Sequence, residues 1–117
     1  MTKAVTIPLS QIRRAGSLRF LAGQLGFASP GVFAEGGVTG QTRQAIANIK
    51  ALLADEGMTL ANVVKATVWI TDVAHFADFN AVYAEEFGAP YPARSTVVSS
   101  LVIPGALVEI EVIASAE

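Results

Sequence analysis

The chain has 117 residues, a length that fits one domain, so we expect a single domain over residues 1–117. Hydrophobic residues make up 52% of it, more than a domain of this size can bury alone, which favours self-association. A net charge of −2, with no basic cluster beyond Arg13-Arg14, argues against nucleic-acid binding. No cysteine is available for a disulfide or a thiol nucleophile, and this composition is consistent with a cytoplasmic location. We expect neither a membrane span, which needs ~18 apolar residues, nor a signal peptide.

The first quarter of the chain is predicted to form two short strands, over residues 4–9 and 18–24. A basic turn over residues 13–16 is expected to join them. Residues 26–31 are rich in Gly, Pro and Ser, which predicts a loop.

A long helix is predicted over residues 39–56, because apolar residues recur there at helical spacing. The apolar positions are Ala45, Ile46, Ile49, Leu52 and Leu53. Gly57 is typical of the residue just past a helix end.

The next predicted strand covers residues 63–71, which are rich in β-branched side chains. Alternation assigns Val64, Ala66, Val68 and Ile70 to one face and Lys65, Thr67, Trp69 and Thr71 to the other.

A second helix is expected after Asp72, which is a favourable N-cap residue. Its apolar face would consist of Val73, Phe76, Phe79, Tyr83 and Phe87, and Gly88 with Pro90 would end it. Two more strands follow, over residues 94–101 and 107–115. The order β-β-α-β-α-β-β predicts an α+β sandwich with two helices on one face of a single sheet.

The last strand combines an apolar face with a face that carries charges. Val108, Ile110, Val112 and Ala114 should meet the helices, whereas Leu107, Glu109, Glu111 and Ile113 should face away from them. Trp69 is expected on this second face as well. Since no helix remains to cover it, we interpret the second face as a subunit interface or the wall of a pocket.

Arg94 and the two glutamates stand out because charges are costly among buried residues unless they are paired or used. They lie in two motifs, Pro92-Ala93-Arg94-Ser95 and the run from Val108 to Ala114. With these motifs, the chain from about residue 16 to 114 resembles the Rid family (reactive intermediate deaminase, also YjgF or L-PSP). Supporting segments are Ala22-Gly23-Gln24, residues 41–50, residues 64–68 and residues 79–83.

The resemblance implies a fold like that of the trimeric bacterial chorismate mutase, with a homotrimer and three clefts between subunits. It implies hydrolysis of small enamines or imines, such as 2-aminoacrylate, to 2-keto acids and ammonia without a metal or cofactor. By the same resemblance Arg94 binds the substrate carboxylate and Glu109 orients or activates water. We expect neighbouring strands to bring these two residues together and a subunit boundary to complete the site. Thr96, Gly23 and Asn80 match further substrate-binding positions. A guanidinium suits a carboxylate, and a glutamate in a partly dry cleft can move a proton.

The chain departs from the family pattern at several positions. The N-terminal Gly-Pro-Tyr element, whose Tyr lines the pocket in active members, corresponds to Ile7-Pro8-Leu9 here. Ala22 replaces a small hydroxyl residue, Thr96 replaces a frequent Cys, and one extra residue lies between Ser95 and Pro104. These differences predict a more apolar pocket that accepts a different substrate, or a divergent branch with weak or no deaminase activity because the family Tyr is missing.

Two other functions remain open at this stage. The first is a non-catalytic protein of the same fold that binds a small carboxylate through Arg94. The second is a ribonuclease or translation inhibitor, against which the charge and the lack of a basic or aromatic stripe argue. Glu111 and the single histidine, His75, are interpreted as solvent-facing or structural residues.

Overall fold

A computed structural model describes residues 7–117, and in it two α-helices pack on one face of a mixed β-sheet. This confirms the α+β class and the position of the helices. In chain order the elements are β1 (Ile12–Ala15), β2 (Leu18–Leu21), β3 (Gln24–Leu25), β4 (Phe27–Ser29), β5 (Val32–Phe33), α1 (Gly37–Asp55), β6 (Val63–Ile70), α2 (Phe76–Phe87), β7 (Ala93–Val98) and β8 (Val108–Ser115).

The main sheet has the strand order β1-β2-β8-β6-β7, and β3 also pairs with β8. Only β6 and β7 run parallel, as the crossover through α2 requires, and the other pairs are antiparallel. A separate hairpin of β4 and β5 brings the rings of Phe27 and Phe33 to a stacked distance of 4.5 Å. β8 therefore lies inside the sheet, and β7 forms an edge.

The N-terminal part of the prediction is wrong in its boundaries. Of the strand predicted over residues 4–9, residues 4–6 lie outside the described part of the chain and residues 7–9 are not in a strand. The first strand is instead β1, which occupies most of the predicted basic turn. Ile12 pairs with Leu21, and the turn itself is at Gly16, whose positive φ of 60° suits glycine. The predicted loop over residues 26–31 contains β4.

The predicted strand over residues 18–24 is divided into β2 and β3 by a bulge. Phe20 pairs with Ile113, and Gln24 pairs with Ile110. The segment from Phe20 to Gln24 therefore has one more residue than the segment of β8 that it faces. A second bulge, in β6, makes the predicted assignment of Val64 to the buried face wrong. Val63 is buried and Val64 is 49% exposed, because the register with β8 shifts between Val63 and Lys65.

One core lies between the helices and the sheet. The helices contribute Ala45, Ile46, Ile49, Leu53, Phe79, Val82 and Tyr83, and the central strands contribute Ala66, Val68, Ile70, Val108, Ile110, Val112 and Ala114. The four residues that β8 buries are those predicted to meet the helices, as strict alternation requires. Neither helix in the described region combines the length and the apolar character needed to cross a membrane.

The second helix begins later than its apolar pattern predicts. The side chain of Asp72 accepts a hydrogen bond from the backbone N–H of Ala74, but this caps a 3₁₀ turn over Val73–His75 that precedes α2. Val73 is 73% exposed, so it does not belong to the buried face. Gly88 ends the helix as predicted.

The segment between β7 and β8 is a loop, and Gln41 of α1 anchors its end. The predicted strand over residues 94–101 stops at Val98. The buried amide of Gln41 donates to the carbonyl of Gly105 (3.0 Å) and accepts from the N–H of Leu107 (2.9 Å). These bonds satisfy the buried amide of Gln41 and fix the end of the loop.

Candidate functional site

Arg94 lies on the helix side of the sheet, near the start of the edge strand β7. In the parallel ladder it is level with Ala66, whose side chain is in the core. Its Nη2 atom donates a hydrogen bond of 2.8 Å to Oδ1 of Asn80 on α2. No carboxylate within residues 7–117 forms an ion pair with Arg94. Most of the five guanidinium N–H donors therefore remain available to a ligand.

Aromatic rings of α2 support the guanidinium of Arg94. Its Cζ atom lies 4.7 Å from the ring centre of Tyr83, 5.2 Å from that of Phe79 and 5.8 Å from that of Phe76. These cation–π contacts hold the planar group without using its N–H donors. Burial raises the pKa of Tyr83, and the charge of Arg94 opposes this rise. The Tyr83 hydroxyl has no hydrogen-bond partner among the described residues.

An open cavity of about 440 Å³ adjoins this cluster. Its walls are formed by Asn80, Tyr83, Ala84, Tyr91, Pro92 and Arg94. Thr96 is two residues further along the same face of β7, level with Val68 and half-buried. The structure thus brings Arg94, Asn80 and Thr96 to one side of the sheet. We call this group, with its cavity, the arginine cluster.

Glu109 lies on the opposite, open face of the sheet. In the antiparallel ladder it is level with Trp69, which confirms the prediction that the two residues share this face. Gly23 is next to its side chain, because a Cβ atom at position 23 would lie only 2.5 Å from Oε2 of Glu109. Burial raises the pKa of Glu109, and the charge of Glu111 raises it further. A raised pKa makes the carboxylate a better proton acceptor than an exposed glutamate.

The expectation that neighbouring strands bring Arg94 and Glu109 together is wrong for a single chain. β6 lies between β7 and β8, and the two side chains are on opposite faces. Across the sheet, Glu109 of β8 is level with Trp69 of β6, which is level with Val97 of β7. Arg94 is three residues before Val97 along β7. With a strand spacing of ~4.8 Å and ~3.3 Å per residue, their Cα atoms are roughly 14 Å apart.

The remaining predicted residues have simpler surroundings. Glu111 is exposed on the open face, level with Thr67. Within residues 7–117, no three His, Cys, Asp or Glu side chains form a group that could hold a metal ion.

Sequence reasoning did not assign Tyr83 and Tyr91 to a site. Signals for both were present, since Tyr83 follows Asn80 by about one helical turn and Tyr91 precedes the Pro92-Ala93-Arg94 motif.

Comparisons with known proteins agree with this architecture. The family model described as Endoribonuclease L-PSP matches residues 1–116. A RutC family protein of Pyrococcus horikoshii is 43% identical over 111 residues, which cover 94% of this chain and 88% of that protein. The chloroplastic Reactive Intermediate Deaminase A of Arabidopsis thaliana is 39% identical over 109 residues, 92% of this chain and 58% of that protein. The crystal structure of RidA from an Antarctic Psychrobacter species has a TM-score of 0.87 at 36% identity, covering 96% of this chain and 91% of the other.

Proposed function

Since this chain belongs to the Rid/YjgF family, which the L-PSP model describes, we propose that it hydrolyses small reactive imines and enamines that carry a carboxylate. Its products would be a 2-keto acid and ammonia, and 2-aminoacrylate represents the substrate class. The name of the Arabidopsis relative, a reactive intermediate deaminase, supports this chemistry. We place the reaction in the cytoplasm, as the lack of cysteine favours.

The main observation that supports the proposal is the environment of Arg94. An arginine beside a cavity, without a carboxylate partner and held by Asn80, is arranged to receive an anion. The flat guanidinium would bind the two substrate carboxylate oxygens with parallel hydrogen bonds. This contact fixes the imine carbon relative to the protein.

Glu109 would supply the water chemistry. With the imine nitrogen protonated, the carboxylate of Glu109 accepts one proton from water as the water oxygen bonds to the imine carbon. The nitrogen of the neutral carbinolamine then receives this proton back from Glu109. As the C–N bond breaks, the hydroxyl proton passes to the departing ammonia, the water oxygen becomes the ketone oxygen, and Glu109 is again a carboxylate. The raised pKa of Glu109 supports the first step, because it makes the carboxylate a better proton acceptor.

The positions of Arg94 and Glu109 support a site shared between two copies of the chain. A substrate bound to Arg94 cannot reach Glu109 of the same chain, because the sheet lies between them. A second copy that places its arginine cluster against the open face of the first would bring Arg94 of one chain to Glu109 of the other. Half-buried Trp69, with Phe20 at 41% and Val97 at 44% exposure, gives this face apolar surface for such contact. We propose a homotrimer with three such sites.

In the test, a serine or threonine dehydratase generates 2-aminoacrylate in situ, and the rate of keto-acid formation is measured. We expect the protein to accelerate formation and Arg94→Ala and Glu109→Gln each to abolish the acceleration. Lys50→Ala is the control, since Lys50 forms its ion pair with Glu86 on the helices and belongs to neither part of the site. No acceleration by the unmodified protein would overturn the catalytic proposal, and Arg94-dependent keto-acid binding would then indicate a binding protein.

A mixing experiment tests the shared site. Arg94→Ala and Glu109→Gln chains, unfolded and refolded together, would form hybrid oligomers in which some sites contain both native residues. Partial recovery of activity is expected only after mixing. Failure to recover activity, with hybrids present by native mass spectrometry, would contradict a shared site.

Charge pairing argues against RNA cleavage. Arg14 and Arg19 bind Glu56, whereas Arg43 and Lys50 bind Glu86. Cations that are already neutralised offer little to a phosphate backbone.

A further inference from the structure

The cavity beside Arg94 is divided into a polar part and an apolar part. Arg94 and Asn80 supply charged and amide groups, and they contact each other at 2.8 Å. Ala84, Pro92 and the ring of Tyr91 supply the apolar part. A carboxylate held by Arg94 would therefore have apolar surface beside it.

The size of the cavity exceeds the need of a three-carbon substrate. Its volume of about 440 Å³ falls within the ~300–1,000 Å³ of sites that hold drug-sized ligands. A substrate such as 2-aminoacrylate fills only the part next to the guanidinium. Tyr91 also lines this cavity, and since it is 55% exposed its ring surface is available for contact.

The support of Arg94 makes this apolar part selective. Tyr83, at 4.7 Å, and Phe79, at 5.2 Å, restrict the plane of the guanidinium. A carboxylate bound in that plane has a restricted orientation, and so has the side chain attached to it. The arginine cluster can thus direct a substrate side chain instead of leaving it free in solvent.

We propose that Tyr91 is a specificity-determining residue, and that the site prefers imines derived from amino acids with large apolar side chains over the three-carbon imine. The inference rests on the proposed function and adds the side chain of its substrate. Burial of an aromatic or branched side chain against Tyr91 removes apolar surface from water, and ring–ring contact adds to this gain.

The test measures binding of 2-keto acids by isothermal titration calorimetry, so that it needs no turnover. The probes are pyruvate, 4-methyl-2-oxopentanoate and phenylpyruvate. We expect phenylpyruvate to bind at least about tenfold more tightly than pyruvate, a ratio typical of one apolar subsite. Tyr91→Ala should reduce this ratio to about one, and Tyr91→Phe should preserve it. Val102→Ala is the matched control, because Val102 is 95% exposed and does not line the cavity.

The outcomes separate this inference from the proposed function. Equal affinity for the three acids, or a ratio that Tyr91→Ala leaves unchanged, overturns the role of Tyr91 even when Arg94→Ala abolishes binding. If Arg94→Ala leaves both binding and imine hydrolysis unchanged, the proposed function fails as well. Thermal melting of each variant shows whether it is folded.

Discussion

The carboxylate of Glu109 occupies the space in which a side chain at Gly23 would begin. A Cβ atom at position 23 would lie 2.5 Å from Oε2 and 2.9 Å from Cδ of Glu109. Ordinary contacts of this kind are about 1 Å longer. The backbone of Gly23 has no positive φ, so the carboxylate, and not the chain conformation, requires glycine at this position.

We therefore expect Gly23→Ala to displace the Glu109 carboxylate by about 1 Å and to lower kcat by roughly 10²-fold. The glutamate side chain can move, so the melting temperature should change little. Steady-state kinetics with 2-aminoacrylate measure the effect. Calorimetric binding of a 2-keto acid is the control, because Arg94 would hold the ligand carboxylate and Gly23→Ala should leave that affinity nearly unchanged. A loss of affinity as large as the loss of kcat would show that Gly23 acts through another residue.

The pH dependence of activity should report the environment of Glu109. Its pKa is raised by burial and by Glu111, so activity that needs the carboxylate should rise with pH through a midpoint above 4.5, the ordinary value. Glu111→Gln removes the second cause and should move this midpoint to lower pH. Rate–pH profiles of kcat/KM for the two proteins measure the shift. An unchanged or higher midpoint would contradict the effect of Glu111.

The raised pKa of Glu109 should also make stability depend on pH, in the direction opposite to activity. The folded pKa of Glu109 is above its unfolded value of 4.5, so the protonated form favours the folded state. This contribution is fully present below the unfolded pKa and is lost as the pH rises through the folded pKa. We expect Glu109→Gln to remove this loss of stability at higher pH. Urea unfolding of both proteins at a series of pH values measures the free energy of unfolding. A greater loss of stability at high pH in the variant would be the opposite result.

Asn80 should act by orienting Arg94. Asn80→Ala removes the 2.8 Å hydrogen bond to Nη2, so the guanidinium should become more mobile and bind a 2-keto acid about tenfold more weakly. Calorimetric titration measures this change. Asn48→Ala is a matched control, because Asn48 donates to the carbonyls of Leu25 and Phe27 and should affect stability without changing affinity. Equal affinity losses in the two variants would indicate a general structural effect.

Tyr83→Phe should preserve the support of Arg94 and stabilise the protein. The buried hydroxyl has no partner among the described residues, and burial of an unpartnered hydroxyl costs roughly 1–3 kcal/mol. The ring that lies 4.7 Å from Arg94 remains in the variant. Chemical denaturation should give a free energy of unfolding about 1 kcal/mol higher. A decrease would mean that the hydroxyl forms a hydrogen bond in the assembled protein.

Gln41 should contribute more to stability than its exposed neighbour Arg43. Gln41→Ala removes its hydrogen bonds to the carbonyl of Gly105 and the N–H of Leu107, and we expect a loss of about 1–3 kcal/mol, at about 0.5–1.5 kcal/mol for each bond. Arg43→Ala breaks exposed ion pairs with Glu85 and Glu86. It should therefore lower the free energy of unfolding by a smaller amount, and only at low salt. Denaturant unfolding of both variants tests the order, and a larger loss for Arg43→Ala would reverse it.

The sequence by itself determined the elements whose pattern repeats locally. Helical spacing predicted α1 within two residues at its start, and alternation in β8 separated Val108, Ile110, Val112 and Ala114 from Glu109 and Glu111. These patterns are reliable because each helix or strand places its own side chains at fixed angles. The motif around Arg94 likewise led to the family to which the chain belongs.

Tertiary structure alone decided which residues meet. The bulge that exposes Val64 and the position of β6 between β7 and β8 depend on pairings between residues distant in sequence. The parallel register with β6 sets Arg94 beside Asn80 and Tyr83, on the side of the sheet opposite Glu109. Local patterns show that a strand has two faces, but only its neighbours determine which face is covered. For this reason the sequence could name Arg94 and Glu109, whereas their separation within one chain emerged only from the folded sheet.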